Sequence, residues 1–441
     1  MIVVDRQLEM LEQAGTPIRV GLVGAGFAGR GFMLQMLTAV KGMRLVAVSN
    51  RTRANSVMGC SQAGFDGYKD AETLAQLESI IESGGLALTD NPFLLTASEQ
   101  IDVVVEATGE VVFGAEVVLS AINHGKHVVL INAELDSTLG PILKVRADQQ
   151  GVVYTQADGD QPGVLMNLLR EARFWGFNPV MVGNVKSLLD VRRTPATQQQ
   201  WAEEHFQEPK MVTSFADGTK IGAEMASIAN ATGFPVAQRG MLGPRCDRVE
   251  DAYQMFDLET LLTTGLTDYV IGAEPSFGVF ILATCDQPIR ARYMDVYKMG
   301  NGPLYTFYRP YHLSPLEAPA SVARAVAMRD VTLAPAGKPV CDVVTLAKRD
   351  IKAGECLDGV GGYLTYGAID NYATSLVGNL LPIGLADGCI ATRDLPMDTP
   401  VTYADVDLPP GRLADALREE QNDLFFTPAG AAAARISGIA V

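Results

Sequence analysis

The chain reads as an α/β protein in three parts. A doubly wound parallel sheet is expected over residues 1–160, an α+β region over residues 161–340, and a small β domain with a tail over residues 341–441. Three observations carry this reading. The glycine-rich run "GLVGAGFAGRG" (21–31) lies between a strand-like and a helix-like stretch. Short apolar runs of buried-strand type then recur until the rhythm breaks near residue 164, and a weak internal repeat marks the C-terminal part.

In chain order, "MIVVDRQLEMLEQAGTP" carries charges throughout and reads as a short amphipathic helix, not a signal peptide. "IRVGLVG" (18–24) is a strand, "FMLQMLTAV" (32–40) is helical in composition, and "MRLVAVSN" (43–50) is the next strand. A glycine run in this β-loop-α-β setting has a specific use. Gly24 permits a tight turn, Gly26 lets the backbone approach a pyrophosphate, and Gly29 lets the helix pack close to the strand. Phe27 and Ala28 open that helix, whose N-terminus faces the anion. A dinucleotide site of Rossmann type is expected.

The end of the second strand selects the cofactor. An NAD site commonly places a carboxylate there for the ribose 2′-hydroxyl, whereas this chain has "SNRTR" (49–53). Arg51 can fork onto a 2′-phosphate and Ser49, Asn50 and Thr52 can donate to it, so NADPH is expected. The plainer reading leaves Arg51 and Arg53 as solvated loop charges. Two further strands, "IDVVVEATG" (101–109) and "HVVLINAELD" (127–136), place Thr108, Gly109, Asn132 and Glu134 beside the nicotinamide half. The strand "GVVYTQADGDQPG" (151–163) leads out of the domain.

That last segment brings Asp158 and Asp160 close together. The pair is suited to a divalent metal, or to acid and base work, but Asp, Gly and Pro are also ordinary turn formers. Helices are expected at "VLMNLLREARFWG" (164–176) and "TKIGAEMASIANATG" (219–233). In "VGNVKSLLDVRRTP", Lys186 is a candidate for polarising a carbonyl, and Arg192 and Arg193 read as surface bases. Lys220 and Glu224, one helical turn apart, are either a surface pair or present an inward-facing acid. The four histidines are too dispersed for a histidine metal site; His312 stands out because Arg309 and two tyrosines flank it.

Composition narrows the partners. The 35 Lys and Arg against 51 Asp and Glu give a net charge of −16, with no basic tract, which argues against nucleic-acid binding driven by phosphate neutralisation. The six cysteines form no CxxC pair and suggest reduced thiols in the cytoplasm. No apolar run reaches the roughly 18 to 20 residues of a membrane span. A small-molecule substrate is expected.

Near the C-terminus, "AKRDIKAGECL" (347–357) and "ATRDLPMDTPV" (391–401) repeat Ala, then Arg-Asp, then an aliphatic residue and a turn. This repeat resembles the SAF domain. With the glycine loop, "INAELD", "ADGDQPG", "GNVKSLLD", "FADGTKIGAEMASIANATGF" and "GPLYTFYRPYHL", the chain resembles the homoserine-dehydrogenase-like family that carries a SAF domain, and within it the 1-deoxy-D-xylulose 5-phosphate reductoisomerase-like enzymes. Homoserine dehydrogenases carry an Asn-Lys pair where this chain has Asn132-Ala133, and their glycine-rich Pro motif is replaced by "DGDQPG", keeping Pro162.

The resemblance implies an NADPH-dependent, Mn²⁺- or Mg²⁺-assisted reductoisomerase of isoprenoid precursor synthesis, acting on a small phosphorylated substrate as a homodimer. It assigns Asp158 and Asp160 to metal or proton handling, Lys186 to the substrate oxygen or phosphate, and Glu224 to a supporting acid. The alternative is an NADP-dependent oxidoreductase acting on another polyol, sugar acid or aldehyde.

Overall fold

In the computed structural model, residues 4–430 and residue 432 are described. They form two compact units, each assembled from separated stretches of chain. The first takes residues 4–160, 313–334 and 412–430; the second takes residues 161–312 and 335–411.

The first unit is built on a parallel seven-stranded sheet. Its strands are β1 (Ile18–Val23), β2 (Met43–Ser49), β3 (Tyr68–Asp70), β4 (Leu86–Thr89), β5 (Val103–Glu106), β6 (His127–Leu130) and β7 (Tyr154–Gln156). They run in the order β3-β4-β2-β1-β5-β6-β7. The chain winds outward from β1 on one side, then restarts at β5 on the other. The crevice beyond the carboxyl ends of β1 and β5 is therefore the topological switch point, where open α/β sheets bind ligands. The doubly wound α/β expectation is met, with β3 and β4 added to the strands read from sequence.

Two late segments complete this unit. Helix Ser314–Ala323 contributes Ala318, Val322 and Ala323 to the core that holds Val20, Leu22, Phe32, Met33, Val103 and Val105. It lies so close to helix Phe27–Thr38 that a Cβ on Gly31 would sit 2.7 Å from Pro315.

Helix Leu413–Phe426 packs on helices Val111–Asn123 and Ala133–Gln149. Pro141 lies inside the latter and has no N–H to donate to the carbonyl one turn earlier. Two backbone groups beside it are reached by side chains of the late helix. Gln421 Oε1 accepts from Ile142 N at 3.2 Å, and Arg418 Nη1 donates to the Thr138 carbonyl at 2.9 Å.

The second unit contains a mixed four-stranded sheet, β11-β10-β8-β9. Its strands are β8 (Asn178–Lys186), β9 (Leu266–Ile271), β10 (Val279–Thr284) and β11 (Leu304–Arg309). One core joins Met181, Val185, Val270, Phe280 and Leu282 to Cys246, Val249 and Leu261. Helix Gln161–Phe174 packs on β8 and β10. Helix Thr219–Thr232 is buried along most of its length and packs on the hairpin of β12 (Cys341–Ala347) and β13 (Thr365–Asn371).

The expected third domain is thus part of the second unit, and the expected boundary near residue 340 is displaced. Asn230 Oδ1 accepts from Val340 N at 2.7 Å and Cys341 N at 2.9 Å, while Gly367 N donates to Thr219 Oγ1 at 2.8 Å. The repeat also has a structural counterpart. Its copies pair about a local two-fold: Gly354 N donates to the Ala391 carbonyl, and in the equivalent place Asp398 N donates to the Ala347 carbonyl.

Candidate functional site

The glycine loop joins β1 to helix Phe27–Thr38 at the switch point. Gly24 has φ +101°, and a Cβ there would lie 2.6 Å from the Ala107 carbonyl, so only glycine fits. A Cβ on Gly29 would lie 2.0 Å from the Gly24 oxygen, which fixes the close approach of helix to strand. Gly26 differs from both. It is exposed, caps the helix without a side-chain hydrogen bond, and a Cβ there would meet no atom within 4 Å. The first turn, with exposed Phe27 and half-buried Ala28, therefore opens to free space at a helix N-terminus, the kind of place that suits an anion.

At the end of β2 the five residues 49–53 separate into different duties. Ser49 is buried, and its carbonyl accepts from Gly24 N at 2.8 Å. The Asn50 amide is largely committed to the loop: Oδ1 accepts from Ala25 N at 2.9 Å and Nδ2 donates to the Thr52 carbonyl at 2.8 Å. Asn50 thus ties the glycine loop to β2, leaving one amide hydrogen of those expected to face a phosphate. Arg53 grips Asp70 through two 2.7 Å bonds, which raise the arginine pKa and lower that of Asp70. Arg51 is exposed and makes no hydrogen bond or ion pair among the described residues.

Beyond β5 and β6 the site contains a residue that sequence reasoning missed. Glu106 closes β5, is fully buried, and accepts from Thr108 N at 2.8 Å, from Thr108 Oγ1, and from Asn132 Nδ2 at 2.9 Å. Burial pushes its pKa up to about 7, against the pull of the Thr108 and Asn132 hydrogen bonds. The available signal was an acid ending the apolar run "VVVE". The other amide contacts of Asn132 are within the protein: Nδ2 also donates to the Glu110 carbonyl at 3.1 Å and Oδ1 caps Leu135 N at 3.0 Å. Glu134 is buried in the first turn of helix Ala133–Gln149, where the helix dipole favours a negative charge. Thr108 and Gly109 are half-buried and border the crevice.

The divalent-metal expectation does not fit. Asp158 Oδ1 accepts from Gly159 N at 2.8 Å, Asp158 N donates to Ser321 Oγ at 2.7 Å, and Gly159 has φ +86°. This is a turn built from Asp and Gly. Among the described residues, no group of three or more His, Cys, Asp or Glu side chains is arranged to hold a metal ion. Asp160, half-buried, ends the first unit.

In the second unit, Lys186 ends β8, half-buried, with no side-chain hydrogen bond or ion pair among the described residues. Glu224 is buried at 2% exposure within helix Thr219–Thr232, which removes the surface-pair reading, and Lys220 is half-buried. Arg192 and Arg193 hold structure: Arg192 Nη1 donates to the Lys348 carbonyl at 2.8 Å and Arg193 pairs with Asp190 at 3.0 Å. His312 stacks on Phe277 at 4.3 Å. A buried ion pair, unforeseen from sequence, joins Lys348 to Asp217 at 2.8 Å. The remaining Lys348 donors reach the carbonyls of Arg193 and Gly362.

Two sequence models of oxidoreductases match separate parts of the chain. Residues 18–130 match the sequence model of the GFO/IDH/MocA oxidoreductase family, NAD-binding Rossmann fold. Residues 159–318 match that of oxidoreductase DRL, catalytic domain. The chain is 29% identical over 138 residues to homoserine dehydrogenase of Pseudomonas aeruginosa, an alignment covering 31% of this chain and 28% of that protein.

Among solved structures, a probable dehydrogenase from Thermotoga maritima is 12% identical, with a TM-score of 0.42 over 71% of this chain and 90% of the other. A myo-inositol dehydrogenase from Lactobacillus casei is 12% identical, with a TM-score of 0.41 over 72% and 89%. The resemblance to SAF-bearing and reductoisomerase-like enzymes finds no support in these matches. No described helix is long and apolar enough to cross a membrane. The chain thus has a Rossmann sheet and an open glycine cradle, and over residues 18–130 and 159–318 it is similar to NAD-binding and catalytic domains of oxidoreductases.

Proposed function

We propose that this oxidoreductase prefers NADP and interconverts an alcohol and a carbonyl group on a small polar substrate: a polyol, a sugar acid, or an amino-acid-derived alcohol and its aldehyde. One observation carries the cofactor preference. Arg51 stands exposed and, among the described residues, unengaged at the end of β2, where a carboxylate would select NAD, while Arg53 is held by Asp70.

When bound, the nicotinamide supplies or accepts the hydride. The Lys186 ammonium, uncommitted to any other side chain among the described residues, polarises the substrate oxygen and stabilises the charge that develops on it. Glu224 is the supporting acid of the same unit. No metal takes part in this reading. The protein acts as a homodimer through its second unit, and equilibrium sedimentation giving a monomer at micromolar concentration overturns that assignment.

The test is oxidation of NADPH and of NADH by the purified protein with a panel of aldehydes, keto acids and ketoses, including 1-deoxy-D-xylulose 5-phosphate. Turnover of an aldehyde or ketose faster with NADPH, and retained in a chelator, supports the proposal. Equal use of NADH removes the NADP preference. Turnover of 1-deoxy-D-xylulose 5-phosphate alone restores the reductoisomerase reading.

A further inference from the structure

Four residues, Glu106, Thr108, Glu110 and Asn132, close a hydrogen-bonded circuit. Glu106 accepts from Thr108 N and Oγ1; Thr108 Oγ1 in turn accepts from Glu110 N at 3.2 Å; the Glu110 carbonyl accepts from Asn132 Nδ2; and that same amide donates to Glu106 Oε2. The circuit spans the loops after β5 and β6. It is sealed on both sides. A Cβ on Gly114 would lie 3.2 Å from Asn132 Nδ2 and 3.4 Å from Glu106 Cδ, and one on Gly24 would lie 2.9 Å from Thr108 N.

We propose that Glu106 is a positioning residue for the cofactor: its carboxylate sets Thr108 and the loops after β5 and β6 in the form that receives the nicotinamide half, before the dinucleotide arrives. This rests on the cofactor reading above. The chemistry requires a carboxylate. Three donors converge on Glu106, and a carboxylate accepts on both oxygens. A glutamine of the same shape turns an NH2 toward either Asn132 Nδ2 or Thr108 N, setting donor against donor and opening the circuit. The adenosine half, held at Gly26 and Arg51, does not touch this circuit, so its affinity is independent of Glu106.

The experiment measures dissociation constants of NADPH and of 2′,5′-ADP, which lacks the nicotinamide half, on wild type and Glu106→Gln. The expected result is an NADPH Kd raised about tenfold, the loss of a hydrogen bond to a charged group, with 2′,5′-ADP within about twofold.

Equal weakening of both ligands assigns Glu106 to the fold alone and overturns the proposal, as does unchanged NADPH binding. If Glu106→Gln does not fold, Thr108→Val, which cuts the circuit at two bonds, gives the same selective loss or overturns it. A wild type that binds neither NADPH nor NADH overturns the cofactor reading, and this inference with it.

Discussion

Ile351 and Leu395 occupy equivalent positions in the two copies of the C-terminal repeat, and each donates its backbone N–H to the other's carbonyl, at 2.9 and 2.8 Å. Their side chains are buried at 0% and 1% exposure. A similarity of a few residues in sequence is thus a local two-fold axis in the fold.

Symmetry makes a quantitative prediction. Truncating either side chain to alanine leaves a cavity and costs roughly 2 to 5 kcal/mol. Ile351→Ala and Leu395→Ala are expected to destabilise by similar amounts, and the double variant by less or more than the sum, because the residues are in contact. Urea unfolding monitored by circular dichroism measures all three. Costs differing by more than about 2 kcal/mol between the singles contradict the equivalence, since that gap spans most of the usual range.

Cofactor choice is expected to depend on Arg51 and not on Arg53. Arg51→Ala loses charge-assisted hydrogen bonds to a 2′-phosphate, worth about 1.5 to 3 kcal/mol, or roughly 10- to 150-fold in NADPH affinity. NADH affinity stays unchanged. Arg53→Ala releases Asp70 and leaves the preference intact. Fluorescence titration with both nucleotides checks each statement.

The glycines separate folding from binding. Gly24→Ala meets the Ala107 carbonyl at 2.6 Å and a positive φ, so a lowered melting temperature is expected. A Cβ on Gly26 meets no atom within 4 Å, so Gly26→Val is expected to leave the melting temperature within a few degrees but to fill the space needed by the pyrophosphate and abolish NADPH binding. Differential scanning fluorimetry with and without NADPH distinguishes the two.

Glu106 gives stability a pH dependence of unusual sign. Its pKa is raised from 4.5 to about 7 in the folded protein, so the folded state binds the proton more tightly than the unfolded chain. This contribution is full below about 4.5 and is lost as pH rises through about 7. Subtracting the Glu106→Gln variant from wild type isolates it. The variant is expected to gain on wild type, on the order of 3 kcal/mol, between pH 4.5 and pH 8. A flat difference contradicts the assignment.

The sequence disclosed what local chemistry dictates. Gly24, Gly26 and Gly29 were legible because their spacing answers one steric problem, and β1, β2, β5 and β6 because buried parallel strands read as apolar runs. Glu106 was missed, and the bonds that Asn132 and Asn50 make within the protein were not foreseen, for one reason. Whether a polar side chain faces a ligand or a neighbouring loop depends on partners distant in sequence, such as Asn132 for Glu106, 26 residues away. Lys348 was hidden likewise, since its partner Asp217 lies 131 residues earlier. Asp158 and Asp160 looked like ligands because turn formers and metal ligands draw on the same residue types.

The contacts beside Pro141 also bear on how the protein is made. A ribosome delivers helix Ala133–Gln149 long before Arg418 and Gln421, the side chains that reach the Thr138 carbonyl and Ile142 N–H, and these emerge about 280 residues later. Throughout that interval the face of the helix that the late helix covers lacks its partner. The nucleotide-binding unit is therefore assembled post-translationally in its last step, and a chain truncated before residue 412 would carry every glycine of the cradle on an unfinished scaffold.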